Sequence, residues 1–304
     1  MKIITENKFC WIDIEKPDKD DLQFLKTNFK IKDSVLSRLI PPIKRAELEN
    51  YTDYLFIILH FPNFDSRSAA NEPEELDLII TKNTLIACHN GGISEHLKFY
   101  RITKDNLAER KKYLGKGHTH LLYHLLDCII DTRLPMLDHI AENIKKIEEQ
   151  AFRGPNRQVL EQIAFIKRDI ISFRSIIQPQ RAVIESLIRK VDRLFGGKIF
   201  EVDAQEVIGS NIKVWNTLEH HKEMIEAIEA TSSELLSYRL NETMKILTVV
   251  SVILMPMALI ANLWGMNLEK MPFTENPTGF WLIIALLVLT GVVLTIYFKI
   301  KKWL

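Results

Sequence analysis

Two apolar runs close the chain, from Ile246 to Leu268 and from Asn276 to Phe298, and no Asp, Glu, Lys or Arg interrupts either. Each is about 23 residues, enough to cross a hydrocarbon core of roughly 30 Å as an α-helix. The pattern predicts two membrane spans joined by the short polar loop LEKMPFTENPTG. Arg239 and Lys245 precede the first span, and Lys299, Lys301 and Lys302 follow the second. The loop carries Lys270 against Glu269 and Glu275. This bias predicts a multi-pass protein of the plasma membrane with both termini in the cytoplasm and the loop outside.

Upstream the pattern is that of a soluble domain. Residues 9–14, 54–61 and 75–89 are rich in β-branched and aromatic residues and read as strands. Residues 18–29 and 33–40 read as short helices with aspartate near their starts, and 63–75 as a loop. From His118 to about Phe152 apolar residues recur at helical spacing, and Gly154 with Pro155 ends that helix. A second helix covers 158 to about 195, with a kink or break expected at Pro179 and a stop at Phe195-Gly196-Gly197. From Asp203 neither proline nor paired glycine occurs until Pro256, so one helix of some 60 residues is expected to run into the first span. Helices that long bundle with copies of themselves or with neighbours. The expected organisation is an α+β membrane protein. It has a cytoplasmic α/β domain (1–115), a helical stalk region (116–240), a first span with its terminal segment (241–268), an external loop (269–277), a second span (278–298) and a basic tail (299–304).

The first span is not apolar all round. Steps of three and four from Asn241 give Met244, Thr248, Ser251, Met255, Ala258 and Asn262, all polar, small or thioether. The remaining positions are mostly bulky and apolar, which lipid accepts; the stripe needs protein or water beside it. Helix–helix packing is one reading, because small and hydroxylated residues collect where membrane helices touch. A pore is the other, favoured by an amide near each end of the stripe and by its heptad spacing (241, 248, 255, 262), which holds one face to a common axis. Two spans cannot enclose a pore, so this reading needs several copies of the chain.

The net charge of +1 gives no field that would attract nucleic acid. Cys10, Cys88 and Cys128 are far apart and form no CxxC pair, so reduced thiols are expected. The N-terminus is too short and polar for a signal peptide. No nucleotide motif appears, no Ser/His/Asp or Cys/His set has a supporting motif, and neither an enzyme nor an organic cofactor is expected. His118, His120, His124 and Asp127 lie close together, and His120 with His124 is an i, i+4 pair able to bind zinc, although helix-surface histidines are commoner. His220-His221 is a comparable candidate, and the acidic group Glu72, Glu74, Glu75 and Asp77 a weak one.

Trp264-Gly265-Met266-Asn267, ending the first of two C-terminal spans, resembles the signature of the CorA family of magnesium transporters, which usually reads Tyr-Gly-Met-Asn. Residues 244–272 are similar to the family's first span and loop start, 297–304 to its basic end, and 51–64 and 78–89 to its cytoplasmic strands. The resemblance implies a funnel-shaped homopentamer that conducts Mg²⁺, with Co²⁺ and Ni²⁺ as further substrates, along the membrane potential. It implies pore positions at Asn241, Met244, Leu247 or Thr248, Ser251, Met255 and Ala258, and a selectivity filter at Gly265, Met266 and Asn267. Five Asn267 amides would accept hydrogen bonds from the waters of a hydrated ion, while Gly265 would let the backbone turn. A Zn²⁺-transporting branch of the family typically has Gly-Ile-Asn and ranks second; a membrane-anchored scaffold without a pore is a third reading. In relatives an acidic pair on a short helix binds regulatory Mg²⁺. Ser37 and Arg38 stand there in this chain, with Glu206, or Asp203 with Glu206, on the stalk side, so Arg38 paired with Glu206 across the subunit interface is the expected substitute. Glu269 and Glu275 are expected to attract cations at the mouth.

Overall fold

The computed structural model describes residues 1–40, 45–62, 73–154, 156–195, 201–266 and 278–303. Contacts divide the chain into two compact units, Met1–Glu229 and Ala230–Leu304.

The first unit is built on a six-stranded sheet in the order β1-β2-β6-β5-β4-β3. Its strands are β1 (Lys2–Glu6), β2 (Phe9–Glu15), β3 (Glu47–Asn50), β4 (Tyr54–Pro62), β5 (Pro73–Thr81) and β6 (Thr84–His89). Only β2 and β6 run parallel among these neighbours. The apolar run Leu55–Leu59 shows why the strands lack polar alternation. Leu55, Ile57 and Leu59 join the core on one face, Phe56 and Ile58 the core on the other. A sheet covered on both faces needs apolar residues at every position.

One face is covered by α1 (Lys19–Phe29) and α2 (Asp33–Leu36), through Leu25, Val35 and Leu36. Asp18 caps α1: its carboxylate accepts from the Asp21 N–H at 2.8 Å, and the Asp21 carboxylate accepts from the Asp18 N–H at 3.3 Å. The other face carries α3 (Ser94–Asp105), α4 (Leu107–Tyr113), α5 (His118–Asp131), α6 (Leu134–Arg153) and α7 (Arg157–Phe195). These helices share one continuous apolar core with the sheet.

Two expectations change here. The single helix expected over 118–152 is two, because Pro135, which lacks an N–H, sits in the first turn of α6. There a proline fits, whereas inside a continuous helix its ring would clash with the preceding turn. Of the kink or break expected at Pro179, the break does not occur: α7 continues through it.

The helix α8 (Glu201–Trp264) is one element of 64 residues. Within the first unit it buries Ala204, Val207, Asn211, Val214, Leu218, His221, Ile225 and Ile228, the three-and-four spacing of a coiled-coil seam. Its start lies beside α5, where Ser210 donates to Asp127, and further along it meets α7. Arg174 pairs with Glu219 at 2.5 Å and Lys167 with Glu229 at 2.5 Å, and the Arg174 guanidinium lies 5.4 Å over the Trp215 ring. The bundling expected of so long a helix is met by a neighbour in the same chain. The second unit holds the rest of α8 and α9 (Gly279–Ile300), and both helices are long and apolar enough to cross a membrane.

Candidate functional site: the polar stripe of α8

The second unit shows which face of α8 meets α9. Lys245, Val249, Ile253, Pro256, Met257, Ile260 and Trp264 are buried or half-buried. The Met257 sulfur lies 3.3 Å from where a Cβ on Gly291 would stand, so glycine there allows the two helices to approach closely. Beyond the span, the Lys245 ammonium donates to the Lys302 carbonyl at 2.9 Å.

The stripe lies on the other side. At about 100° per residue its centre is roughly 150° from the centre of the α9-facing set. Asn241, Met244, Thr248, Ser251, Met255, Ala258 and Asn262 are all exposed, Met255 at 76 % against 1 % for Val249. Leu247 is exposed as well and falls at the edge of the arc. The chain's own second span therefore does not cover the polar face. The hydroxyls also have a defined orientation. Thr248 donates to the Met244 carbonyl at 2.7 Å and Ser251 to the Leu247 carbonyl at 2.9 Å. With each hydrogen turned into the helix, the oxygen lone pairs remain to accept from outside.

At the end of α8 the Gly265 N–H donates to the Ala261 and Asn262 carbonyls at 3.0 and 3.1 Å. A methyl group on Gly265 would meet those same oxygens at 3.4 and 3.5 Å, ordinary contact. Met266 is exposed. Asn267, Glu269 and Glu275 lie outside the described residues.

The expected regulatory residues have partners of their own. Arg38 binds Glu47, holds the Glu49 carboxylate at 2.5 Å, and stacks 5.2 Å over the Phe56 ring. Within its own chain its guanidinium is engaged by the edge strand β3. Sequence reading missed these partners, although the Glu-Leu-Glu pattern at 47–49 places both carboxylates on one face of a strand. Glu206 is exposed on α8. Burial first, then the charges of Asp131 and Glu206, push the Asp127 carboxyl up, against the hydrogen bond it accepts from Ser210 at 2.8 Å. His118 and His120 are buried, and burial pushes both down to about 4.

The sheet holds a polar cluster that the sequence did not announce. Asp13, His89 and His96 are buried together. The Asp13 Oδ1 accepts from His89 Nε2 at 3.1 Å and from His96 Nε2 at 2.5 Å. The Gly91 N–H donates to His89 Nδ1 at 2.9 Å, which fixes the hydrogen of His89 on Nε2.

The arrangement as a whole has known counterparts. The model of the family described as CorA-like Mg²⁺ transporter protein matches residues 6–301. The chain belongs to this family. It is 29% identical over 297 residues to the cobalt/magnesium transport protein CorA of Thermotoga maritima, covering 97% of this chain and 83% of that protein. Its fold is similar to the complete structure of the CorA magnesium transporter from Methanocaldococcus jannaschii, with a TM-score of 0.83 at 23% identity over 100% of this chain and 95% of that one. The cytoplasmic domain of ZntB from Vibrio parahaemolyticus shares the fold at a TM-score of 0.63 and 16% identity, over 78% of this chain and 90% of that one. The CorA-like assignment bears out the resemblance read from residues 264–267. It makes the chain a membrane protein of a divalent-cation transporter family, with a soluble α/β domain, a long helix and two apolar helices.

Proposed function

We propose that this chain is the subunit of a homopentameric channel that carries Mg²⁺ across the plasma membrane into the cytoplasm, with both termini inside. The observation that supports this reading best is the direction of the polar stripe. Asn241, Thr248, Ser251 and Asn262 are exposed on the side of α8 away from α9, so further copies of the chain are needed to shield them from lipid.

The chemistry suits a hydrated ion. Mg²⁺ gives up its water reluctantly, and its waters donate hydrogen bonds outward. The stripe offers amide and hydroxyl acceptors and no carboxylate. Such acceptors, with Asn267 at the outer end, are attractive enough to admit the ion and weak enough to release it. Met244, Leu247 and Met255 would form apolar rings that close the path by dewetting. The potential supplies about 4.6 kcal/mol for a divalent ion per 100 mV, from roughly 2.3 per charge. Cobalt in the name of the Thermotoga maritima relative supports Co²⁺, and by similar size Ni²⁺, as further substrates.

The test is divalent flux into proteoliposomes under an imposed inside-negative potential. Mg²⁺ influx that grows with the potential is expected. Zn²⁺ influx without Mg²⁺ influx would replace this reading by zinc transport. The absence of any divalent flux from folded, inserted protein would replace it by a scaffold without a pore.

A further inference from the structure

We propose that His120, His124 and Asp203 form a transition-metal site in the soluble unit, one that takes Zn²⁺ or Co²⁺ rather than Mg²⁺ and joins α5 to the first turn of α8. The i, i+4 histidine pair was visible in the sequence; the third ligand comes from about 80 residues further on. His120 Nε2 lies 3.3 Å from His124 Nε2 and 3.4 Å from Asp203 Oδ2. The donor atoms of all three residues lie within 4.8 Å of one another. A tetrahedral ion with bonds of about 2.0–2.1 Å separates its ligands by roughly 3.3–3.4 Å, whereas an octahedral one separates adjacent ligands by roughly 3.0 Å. The two short separations match the tetrahedron.

The surroundings prepare His120 as a ligand. Its Nδ1 lies 3.2 Å from the Tyr113 carbonyl, which can only accept. The hydrogen is therefore on Nδ1, and the Nε2 lone pair points at His124 and Asp203. A backbone carbonyl that orients the far nitrogen is the usual outer partner of a metal-bound imidazole. Of the three ligands His124 lines a cavity of about 500 Å³, together with Asp127 and Tyr113, so on its side there is space for a water as fourth ligand. Two imidazoles and one carboxylate suit zinc and its neighbours, and Mg²⁺ prefers an all-oxygen set. The charge of Lys116 acts on His120 and opposes a cation; the Asp203 carboxylate offsets it. The buried Asp13, His89 and His96 differ, because hydrogen bonds to Asp13 and from Gly91 already account for both nitrogens of His89.

The site is read by binding alone, so its failure and that of the transport reading are separate results. Purified full-length protein is titrated with Co²⁺ and followed by visible absorption, then with Zn²⁺ by calorimetry in millimolar Mg²⁺. Expected are one ion per chain, the intense bands of tetrahedral Co²⁺, and displacement by Zn²⁺ but not by Mg²⁺. His124→Gln and Asp203→Asn, both at partly exposed positions, should each weaken Zn²⁺ binding at least tenfold and abolish the bands, with helical circular dichroism unchanged. Only the weak bands of octahedral Co²⁺ in wild type would overturn the proposal. So would Zn²⁺ affinity unchanged in both folded variants, which would leave His120 and His124 as a hydrogen-bonded ring pair.

Discussion

Thr248→Val tests the stripe with the least collateral change. Valine has nearly the shape of threonine and belongs equally well in a membrane helix, so the substitution removes the hydroxyl and little else. The hydrogen bond it deletes, from Thr248 to the Met244 carbonyl, is the kind that adds little to helix stability. Folding and assembly should therefore survive. In the proposed pentamer five threonine oxygens face one ring of the pore. A hydrated ion in contact with two of them, at about 1 kcal/mol for each hydrogen bond, loses about 2 kcal/mol. By transition-state arithmetic that slows conduction about 30-fold. The assay is Mg²⁺ influx into proteoliposomes at fixed potential, normalised to inserted protein. Val249→Thr, on the buried α9-facing side, serves as the mirror control, since it adds a hydroxyl where no ion passes. Wild-type flux in Thr248→Val with reduced flux in Leu247→Ala would place Leu247, not Thr248, on the axis. Wild-type flux in Thr248→Val, Ser251→Val and Asn262→Ala together would refute a pore on this face.

Asn267→Ala is expected to abolish Mg²⁺ uptake and leave assembly intact, read by flux and native mass side by side; near-normal uptake would remove this amide as the selective element. The native mass in mild detergent should be that of five chains, and transport by a monomer or dimer would contradict the proposed pore. Asp13→Ala should lower the stability of the soluble unit by about 4 kcal/mol, because two buried imidazole N–H groups lose their acceptor at about 1–3 kcal/mol each, measured by denaturant unfolding. That cluster should also make the unit acid-sensitive. Burial holds His96 below its ordinary value, so the unfolded chain takes up the proton first, and stability is lost as pH falls below about 6.5. A flat unfolding midpoint between pH 8 and 5 would count against it.

The sequence announced the spans, the stripe and the family, and each for a local reason. A run without charge needs no tertiary knowledge, and a stripe of small and polar residues shows at any helical step. What it hid was tertiary. The strands β1 and β3 are short edges with exposed polar residues, so they carry little apolar pattern of their own. The break between α5 and α6 was masked because Leu137, Ile140 and Ile144 continue a helical spacing after Pro135. Asp13 was readable as an anomaly, one acid inside the apolar strand Phe9–Glu15, but its histidines come from β6 and α3. Arg38 has partners in its own chain, Glu47 and Glu49, about ten residues ahead on a strand too short to be read. Asp203 joins His120 only because α8 begins beside α5.

One register organises the whole of α8. Counted in sevens from Ala204 and Val207, the positions buried in the first unit pass through Arg239, Glu242 and Ile246, which are exposed, and then reach Val249, Ile253, Pro256 and Ile260, the set that meets α9. The opposite positions, counted from Glu206 and Gly209, include Lys213, Asn216, His220, Glu223, Ala227, Ala230, Glu234 and Ser237 before reaching Asn241 and Met244. Every one of them is exposed, as is the stripe beyond. A helix of this length could have let its polar face drift, since 3.6 residues per turn loses about 20° in each heptad against a strict sevenfold repeat. Holding the repeat from stalk to span favours a left-handed supercoil that keeps one face to one axis. A simple anchor has no use for that constancy. In the proposed pentamer the same repeat would put Glu206, Asn216, Glu223 and Glu234, whose side chains can accept from a hydrated ion, in the register of the stripe.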